Sequence, residues 1–168
     1  NQDLASLALI GACGDLQDRK HRKLMSKNRE ILNQGIEAGV LTAKMDIQFF
    51  GRETRPVYKM LQYANDPVIP GITGRESSAR SFLSELNIPL KDGDKWRHWI
   101  HYSTDERKKV ISQLVQLLLS KGFGYELTSR IVGEVYEISQ EPIATELHDA
   151  KEFATLLNST ARYGEYKV

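Results

Sequence analysis

The sequence predicts a mainly α-helical protein with a minor amount of β structure, of the α+β class. The segment from Ser103 to Gly122 opens with a capping box, Ser103 and Glu106, and continues with apolar residues at helical spacing. A last helix is indicated by the spacing of Leu147, Ala150, Phe153, Ala154 and Leu157. By contrast, the stretch "KMDIQFF" alternates apolar and polar residues with the period of a half-buried strand.

The elements of the first 50 residues follow from local signals. The apolar run from Leu4 to about Gly11, which Asp3 can cap, favours a helix, although so short a run also fits a buried strand. A second helix is expected from Ser26 to around Gly39, a residue suited to a left-handed cap. It turns Ile31, Leu32 and Ile36 inward, and the following strand turns Met45, Ile47 and Phe49 inward.

The middle of the chain predicts further helices joined by loops. Pro56 fits the first turn of a short helix that ends near Asn65, and "NDPVIPGITG" is typical of a connector. Trp96 and Trp99 are expected to anchor a loop to the core. The residues predicted to face the core from two more helices are Ala79, Phe82, Leu83 and Leu86, and then Leu127, Ile131 and Val135. "VYEIS" predicts a short strand.

Composition sets limits on function. The 168 residues, 40% hydrophobic and 27% charged, are enough for one domain, or one domain with an appendage, with a normal core. The longest apolar run, Leu4 to Cys13, is too short to cross a bilayer, so we expect no membrane association. The net charge of +1 means that any polyanion site depends on local clustering. The single cysteine excludes an internal disulfide and suits a reducing, cytoplasmic setting. The start at Asn1 and the end at "YGEYKV" suggest an excerpt from a longer protein.

Asp15 is the first candidate site residue. It follows Gly11 and Gly14, where the backbone can be approached closely, and it stands at the end of an apolar element, a position where metal ligands and general bases are often presented. The structural alternative is that Asp15 or Asp18 caps a turn. A single carboxylate does not hold a divalent metal, so a site here needs other ligands.

The basic run after Asp15 is the second candidate. It comprises Arg19, Lys20, Arg22 and Lys23, with Lys27 and Arg29 beyond. Clustered cations raise local affinity for phosphates, and the same pattern also fits a solvated helix face. At the C-terminus, Asn158 and Arg162 follow a strongly patterned helix, where an arginine can bind phosphate in bidentate geometry or simply end a surface helix.

Other motifs favour structural roles. His98 and His101 lie three residues apart, but no cysteine or carboxylate stands at matching spacing, so we expect them to be structural. "GITGRESS" lacks the spacing and the lysine of a Walker motif and is interpreted as a helix cap. There is no nucleophile elbow, H-E-x-x-H pair or paired-cysteine zinc signature.

The two ends of the chain resemble a known family. "LALIGACGDLQD" and "KNREILNQGI" are similar to the fourth conserved motif, Gly-x-x-x-Asp, and the later Asn-Arg-x-x-x-x-x-Gly pattern of the RecJ-like branch of the DHH phosphoesterase superfamily. The nearest resemblance is to the archaeal homologues known as GINS-associated nucleases, whose "DAKEFATLLNACGR" segment is similar to "DAKEFATLLNSTAR" here. The matched positions are Gly11, Asp15, Asn28, Arg29, Gly35 and Arg162; Ala161 departs from the usual glycine.

The resemblance implies an organisation and a chemistry. Residues 1–43 would be the C-terminal part of a DHH phosphoesterase domain, residues 44–142 an inserted domain that docks the GINS complex, and residues 143–168 the return to the DHH domain. Asp15 would be a catalytic metal ligand, and Arg162 would contact nucleic-acid phosphate. The intact family enzyme uses two manganese (or magnesium) ions to hydrolyse phosphodiesters.

The resemblance leads to two hypotheses about function. The Asp-His-His motif and the earlier aspartates of the family are absent, so this segment alone would supply one metal ligand and be inactive. The first hypothesis is that this chain is the middle segment of a metal-dependent exonuclease, which acts on single-stranded DNA or RNA in replication and repair. Weaker candidates for backbone contacts are Asn158, Arg19, Lys20, Arg22 and Arg29. The alternative is a non-catalytic module that binds GINS.

Overall fold

The computed structural model describes the backbone of residues 2–163 and the side chains of residues 4–160. The helices are α1 (Gln2–Gly14), α2 (Ser26–Glu37), α3 (Val57–Gln62), α4 (Glu76–Glu85), α5 (Thr104–Ser120), α6 (Tyr125–Thr128) and α7 (Ala150–Tyr163). The strands are β1 (Leu41–Ile47), β2 (Lys91–Asp92), β3 (Lys95–Trp96) and β4 (Val132–Ile138). This confirms the predicted class, mainly α with minor β. None of the described helices is both long and apolar enough to cross a membrane.

The chain divides into two compact units, which are described separately. The first unit comprises residues 1–46 and 133–168, and the second comprises residues 47–132. The expected insertion, residues 44–142, differs from the second unit mainly at its C-terminal boundary. Most of β4 belongs to the first unit because Tyr136 and Ile138 pack in that unit's core.

In the first unit, α1, α2 and α7 pack together beside a two-stranded sheet of β1 and β4. The core contains Leu9, Cys13, Leu24, Leu32, Leu41, Tyr136, Ile138, Ala150 and Ala154, among others. The first apolar segment is therefore a helix and not a strand, and it runs three residues beyond Gly11. It buries Leu9, Ile10, Ala12 and Cys13.

The second helix agrees with the sequence in its ends but not in all its inward residues. Leu32 is fully buried, whereas Ile36 is 41% exposed, so the prediction for Ile36 was wrong. Ala38 caps the helix and Gly39 follows with a φ of +72°, the left-handed conformation that its sequence position suggested.

The first strand corrects a second expectation. It begins at Leu41 and ends at Ile47, and Met45 is 69% exposed while Asp46 is buried. The predicted burial of Ile47 and of Phe49, just beyond the strand, is confirmed, and that of Met45 was wrong. The segment contributes to two cores: Leu41 belongs to that of the first unit, and Ile47 and Phe49 belong to that of the second. A single inward face does not run along its length.

The second unit has its own core, built mainly by α3, α4 and α5. The predicted inward residues of α4 are buried, and Val110, Leu114 and Leu118 of α5 are fully buried. Trp99 is fully buried and Trp96 packs against the same core, as expected of loop anchors. Pro56 caps α3, which ends at Gln62 and not at Asn65.

The predicted helix through Leu127, Ile131 and Val135 was wrong. This segment forms the one-turn helix α6, a 3₁₀ turn at Ser129–Ile131 and then β4. The β-branched and aromatic residues in "IVGEVYEI" favour an extended chain, and pairing with β1 stabilises it. The short strand predicted from "VYEIS" is therefore the end of a longer one.

Candidate metal and nucleic-acid site

Asp15 stands immediately after α1 and is exposed. Its backbone N–H donates to the Gly11 carbonyl at 3.0 Å, which continues the last helical turn. Among the described residues, its carboxylate accepts no hydrogen bond, so the capping interpretation gains no support. The preceding residues Ala12 and Cys13 are buried, and thus a buried helix presents an open carboxylate at its end.

Asp18, three residues later, fixes this turn to α7. Its side chain is 1% exposed, and Oδ2 lies 2.7 Å from Nζ of Lys151 in the first turn of α7. A buried carboxylate that loses its cationic partner is strongly destabilising. Separation of Asp18 from Lys151 is therefore unfavourable, and the pair restrains the turn that follows Asp15. Asp18 is therefore an internal ion-pair partner and not an exposed cap.

The start of α7 carries residues that sequence reasoning missed. Asp149 Oδ1 accepts the backbone N–H groups of Lys151 at 2.9 Å and Glu152 at 3.1 Å, which caps the helix. Asp149 and Glu152 are both buried. The spacing of Asp149 and Glu152 in "DAKE" was a usable signal, because an acceptor followed three residues later by Glu is typical of a helix start.

Asn158 of α7 covers the end of α1. A Cβ atom added to Gly14 would lie 3.3 Å from Asn158 Nδ2 and 3.5 Å from the Ala154 Cβ. Gly14 therefore allows the close approach of the two helices next to Asp15. The family resemblance assigned this motif's glycine to Gly11, but a Cβ built there meets no described atom within 4 Å outside its own helix.

Burial shapes the chemistry of Cys13. Loss of hydration raises the pKa of the Cys13 thiol to about 12, and the nearby Asp18 carboxylate adds to the effect. The thiol therefore stays protonated and is neither a nucleophile nor a metal ligand at neutral pH.

Arg29 has a structural role. Its guanidinium donates to both carboxylate oxygens of Glu134, at 3.0 Å and 2.5 Å, and to the Leu24 carbonyl at 2.9 Å. The Tyr136 hydroxyl donates to Glu134 at 2.8 Å and accepts the Leu24 N–H at 2.7 Å. Because its guanidinium already binds the Glu134 carboxylate, Arg29 is less available to a phosphate than an unpaired cation would be.

The rest of the basic run follows Asp15 in the segment between α1 and α2. Arg19 and Lys20 are exposed, and Arg22 is half-buried, with its backbone carbonyl accepting the Glu134 N–H at 2.9 Å. Asn28 donates to the Gln17 side chain. This segment is therefore held at both ends, and its cations lie close in sequence to Asp15.

Gly35 has a packing role. A Cβ atom at this position would lie 2.4 Å from Leu41 Cδ1 and 2.9 Å from Leu41 Cγ. Leu41 is 1% exposed and packs in the core of the first unit. The glycine of the Asn-Arg-x-x-x-x-x-Gly pattern thus allows α2 to pack against the start of β1.

The remaining candidates have separate outcomes. Arg162 lies in the last turn of α7, and its side chain falls outside the described residues.

His101 Nδ1 accepts the His98 N–H at 3.1 Å, and His98 Nδ1 donates to the Glu53 carbonyl at 2.7 Å, so the histidines are structural. Helix α4 begins after Arg75 without a side-chain cap, so the cap predicted in "GITGRESS" was wrong.

The described residues supply one metal ligand at the end of α1. Asp15 belongs to no group of three metal-ligating side chains in the part of the chain that the structure describes. An exposed carboxylate is a suitable ligand for Mg²⁺ or Mn²⁺. Asp15 could therefore be one of several ligands in a metal site.

Comparison with known families identifies the class of protein. The DHH-CID domain matches residues 49–132, which is half of the chain. The chain therefore belongs to the DHH-CID domain family, within the DHH superfamily, which includes phosphoesterases. A comparison with curated proteins gives no match.

Proposed function

We propose that this chain is the middle segment of an archaeal RecJ-like exonuclease that hydrolyses single-stranded nucleic acid with Mn²⁺ or Mg²⁺. The packing of the "DAKEFATLLN" helix against the end of α1 carries the proposal. Lys151 holds the buried Asp18 at 2.7 Å and Asn158 lies over Gly14, so the two segments that resemble the family meet beside Asp15. Their meeting supports a single site assembled from both ends of the chain.

In this mechanism the residues of the chain position and bind. Asp15 would hold metal with its exposed carboxylate, and the Asp18–Lys151 pair would restrain the turn that presents it. Asn158 and Arg162 would bind the phosphate backbone from α7, with Arg19, Lys20 and Arg22 as secondary cations. Bound metal supplies an activated water and stabilises the charge that develops at phosphorus.

The decisive experiment uses the intact protein, in which we expect Asp-His-His and Asp-x-Asp motifs before Asn1. Asp15→Asn should reduce Mn²⁺-dependent release of nucleotides from labelled single-stranded DNA by at least about a hundredfold, because a metal ligand loses its charge. Asp105→Asn, an exposed carboxylate at the start of α5, is the control and should retain activity. Full activity of Asp15→Asn would exclude its role as a ligand.

A second candidate is a non-catalytic replication module that docks the GINS complex. The residues of the matched domain form a compact unit with their own core, and its exposed apolar side chains include Tyr125 at 83%, Leu119 at 53% and Leu127 at 37%. If this unit docks GINS, Tyr125→Glu should weaken pull-down of the GINS complex by the intact protein. An intact protein that binds GINS without degrading DNA would favour this second candidate.

A further inference from the structure

The second unit carries a row of alternating aromatic rings and cations. Arg55 lies over Phe50 and Tyr63, with its Cζ 4.7 Å and 5.1 Å from the two ring centroids. Lys59 stands 5.8 Å from the Tyr63 centroid and 5.6 Å from that of Tyr58. Arg80 then lies over Tyr58 and Trp96, and Lys91 lies 4.5 Å from the Trp96 centroid. We call this set the aromatic–cation row.

The charges along the row are unequally neutralised. Glu76 binds both central cations, with Lys59 Nζ at 2.5 Å and Arg80 at 2.6 Å. At one end, Lys91 is followed closely by Asp92 and Asp94. At the other end, the Arg55 guanidinium makes no ion pair or hydrogen bond among the described residues. The Arg55 end is therefore where the row has most capacity for an anion.

The backbone is shaped to hold Arg55 in this position. Gly51 has a φ of +94°, which non-glycine residues rarely adopt, and a Cβ built on it would lie 2.5 Å from Arg55 Cδ. The arginine stem thus occupies the space that a side chain at residue 51 would need. Its flat face rests on the rings, and its N–H donors meet no acceptor in the part of the chain that the structure describes, which is the arrangement of a pre-organised anion receptor.

We propose that Arg55, Phe50 and Tyr63, all in the second unit, form a contact for single-stranded nucleic acid. Phe50 is 38% exposed and Tyr63 is 55% exposed, so ring surface is available beside the guanidinium. A single strand alternates phosphates with flat bases, which matches a free arginine beside exposed rings. An acidic peptide would satisfy only the arginine, and so the rings favour nucleic acid.

This inference deepens the proposed function, because the bound strand would be the nuclease substrate, but its test requires no cleavage. The 168-residue chain is titrated against a fluorescent 15-nucleotide oligo(dT) in EDTA, with fluorescence anisotropy as the readout. Arg55→Ala should weaken binding about tenfold and reduce the salt dependence by about one phosphate contact. Lys108→Ala, an exposed cation on α5, should change neither quantity.

Further variants separate stacking from charge and from folding. Arg55→Lys should keep the salt dependence but lose affinity, and Tyr63→Leu should lose affinity while keeping the salt dependence. If Arg55→Ala lowers the melting temperature, these two variants decide the question. Equal losses in Arg55→Ala and Lys108→Ala, no binding by the parent chain, or equally tight competition by poly-glutamate would overturn the proposal. Because binding is measured in EDTA and requires no cleavage, a failed nuclease test and a failed binding test remain distinguishable.

Discussion

At the scale of single residues, burial decides which polar groups of the first unit are reactive. Asp15 and Asp18 are three residues apart, yet Asp15 is exposed whereas Asp18 is 1% exposed and paired with Lys151. From the sequence alone, Cys13 would be expected to react as an ordinary thiol, but in the folded chain its buried environment makes it unreactive. No local pattern separates these outcomes, because each depends on the packing of α7 against α1.

The Cys13 thiol should resist modification in the native protein. Since burial raises its pKa to about 12, the thiolate fraction at pH 8 is far below that of an ordinary cysteine. We expect native Cys13 to react with a disulfide reagent about a thousandfold more slowly than the cysteine of a Ser112→Cys variant, which lies exposed on α5. Chain unfolding in denaturant should restore rapid reaction, and rapid labelling of native Cys13 would contradict the buried environment.

A side chain at residue 35 should destabilise the first unit. Gly35→Ala places a Cβ 2.4 Å from Leu41 Cδ1, so we expect a loss of about 1–3 kcal/mol in the free energy of unfolding. Urea denaturation followed by circular dichroism measures the loss. Gly11→Ala is the matched control, since its Cβ meets no described atom within 4 Å outside its own helix and alanine favours the helix by about 0.5–1 kcal/mol. Equal stability of the two variants would show that Leu41 can move aside.

At the scale of elements, α5 and β1 show when a local pattern is sufficient. The α5 capping box forms as its sequence predicts: the Ser103 N–H donates to Glu106 Oε2 at 2.8 Å, and Ser103 Oγ accepts the Glu106 N–H at 3.2 Å. All of its parts lie within four residues. In β1, Met45 is exposed and Asp46 is buried, although the two-residue period predicts the reverse. The period assumes one inward face along the strand, whereas this strand contributes residues to two separate cores.

The α5 cap should make stability depend on acid pH. Hydrogen bonding by Arg97, at 2.7 Å and 2.8 Å, lowers the pKa of Glu106 to about 2. The unfolded chain takes up this proton near pH 4.5 and the folded chain only near pH 2, so the stabilisation is present above pH 4.5 and is lost as pH falls toward 2.

Glu106→Gln should therefore lower the free energy of unfolding by about 1–2 kcal/mol at pH 7, and the difference from the parent should shrink between pH 4.5 and 2. Urea unfolding at pH 7, 4 and 2.5 measures it. Glu85→Gln, an exposed carboxylate on α4, is the control and should show no such pH-dependent difference. A constant difference across these pH values would mean that the ionised Glu106 is not the source.

At the scale of the whole molecule, the chain divides into two units with separate cores, and the candidate metal ligand Asp15 lies in the first. Half of the chain belongs to the DHH-CID family, yet the candidate metal ligand Asp15 and the α7 residues beside it lie outside the matched residues. Family membership and site geometry are therefore independent observations. The proposed function requires both.

The 168-residue chain by itself should not cleave nucleic acid. Asp15 is one ligand where a two-metal phosphoesterase needs several, so incubation with Mn²⁺ and labelled single-stranded DNA should leave the substrate intact. The intact protein serves as the positive control. Mn²⁺-dependent degradation by the short chain that Asp15→Asn abolishes would mean that it carries a complete site.

The sequence by itself determined the fold class, the left-handed Gly39 that follows α2, the α5 cap and the inward residues of α4, because these follow from local backbone preferences and side-chain spacing. The tertiary structure alone decided that β4 replaces a predicted helix, that Arg29 binds Glu134, and that Gly14 and not Gly11 lies under α7. Each of these depends on contacts with distant parts of the chain. A sequence allows many such contacts, and only the packed structure shows which of them form. The position of Arg55 was also decided by the tertiary structure, because its guanidinium contacts the Phe50 and Tyr63 rings only in the folded second unit.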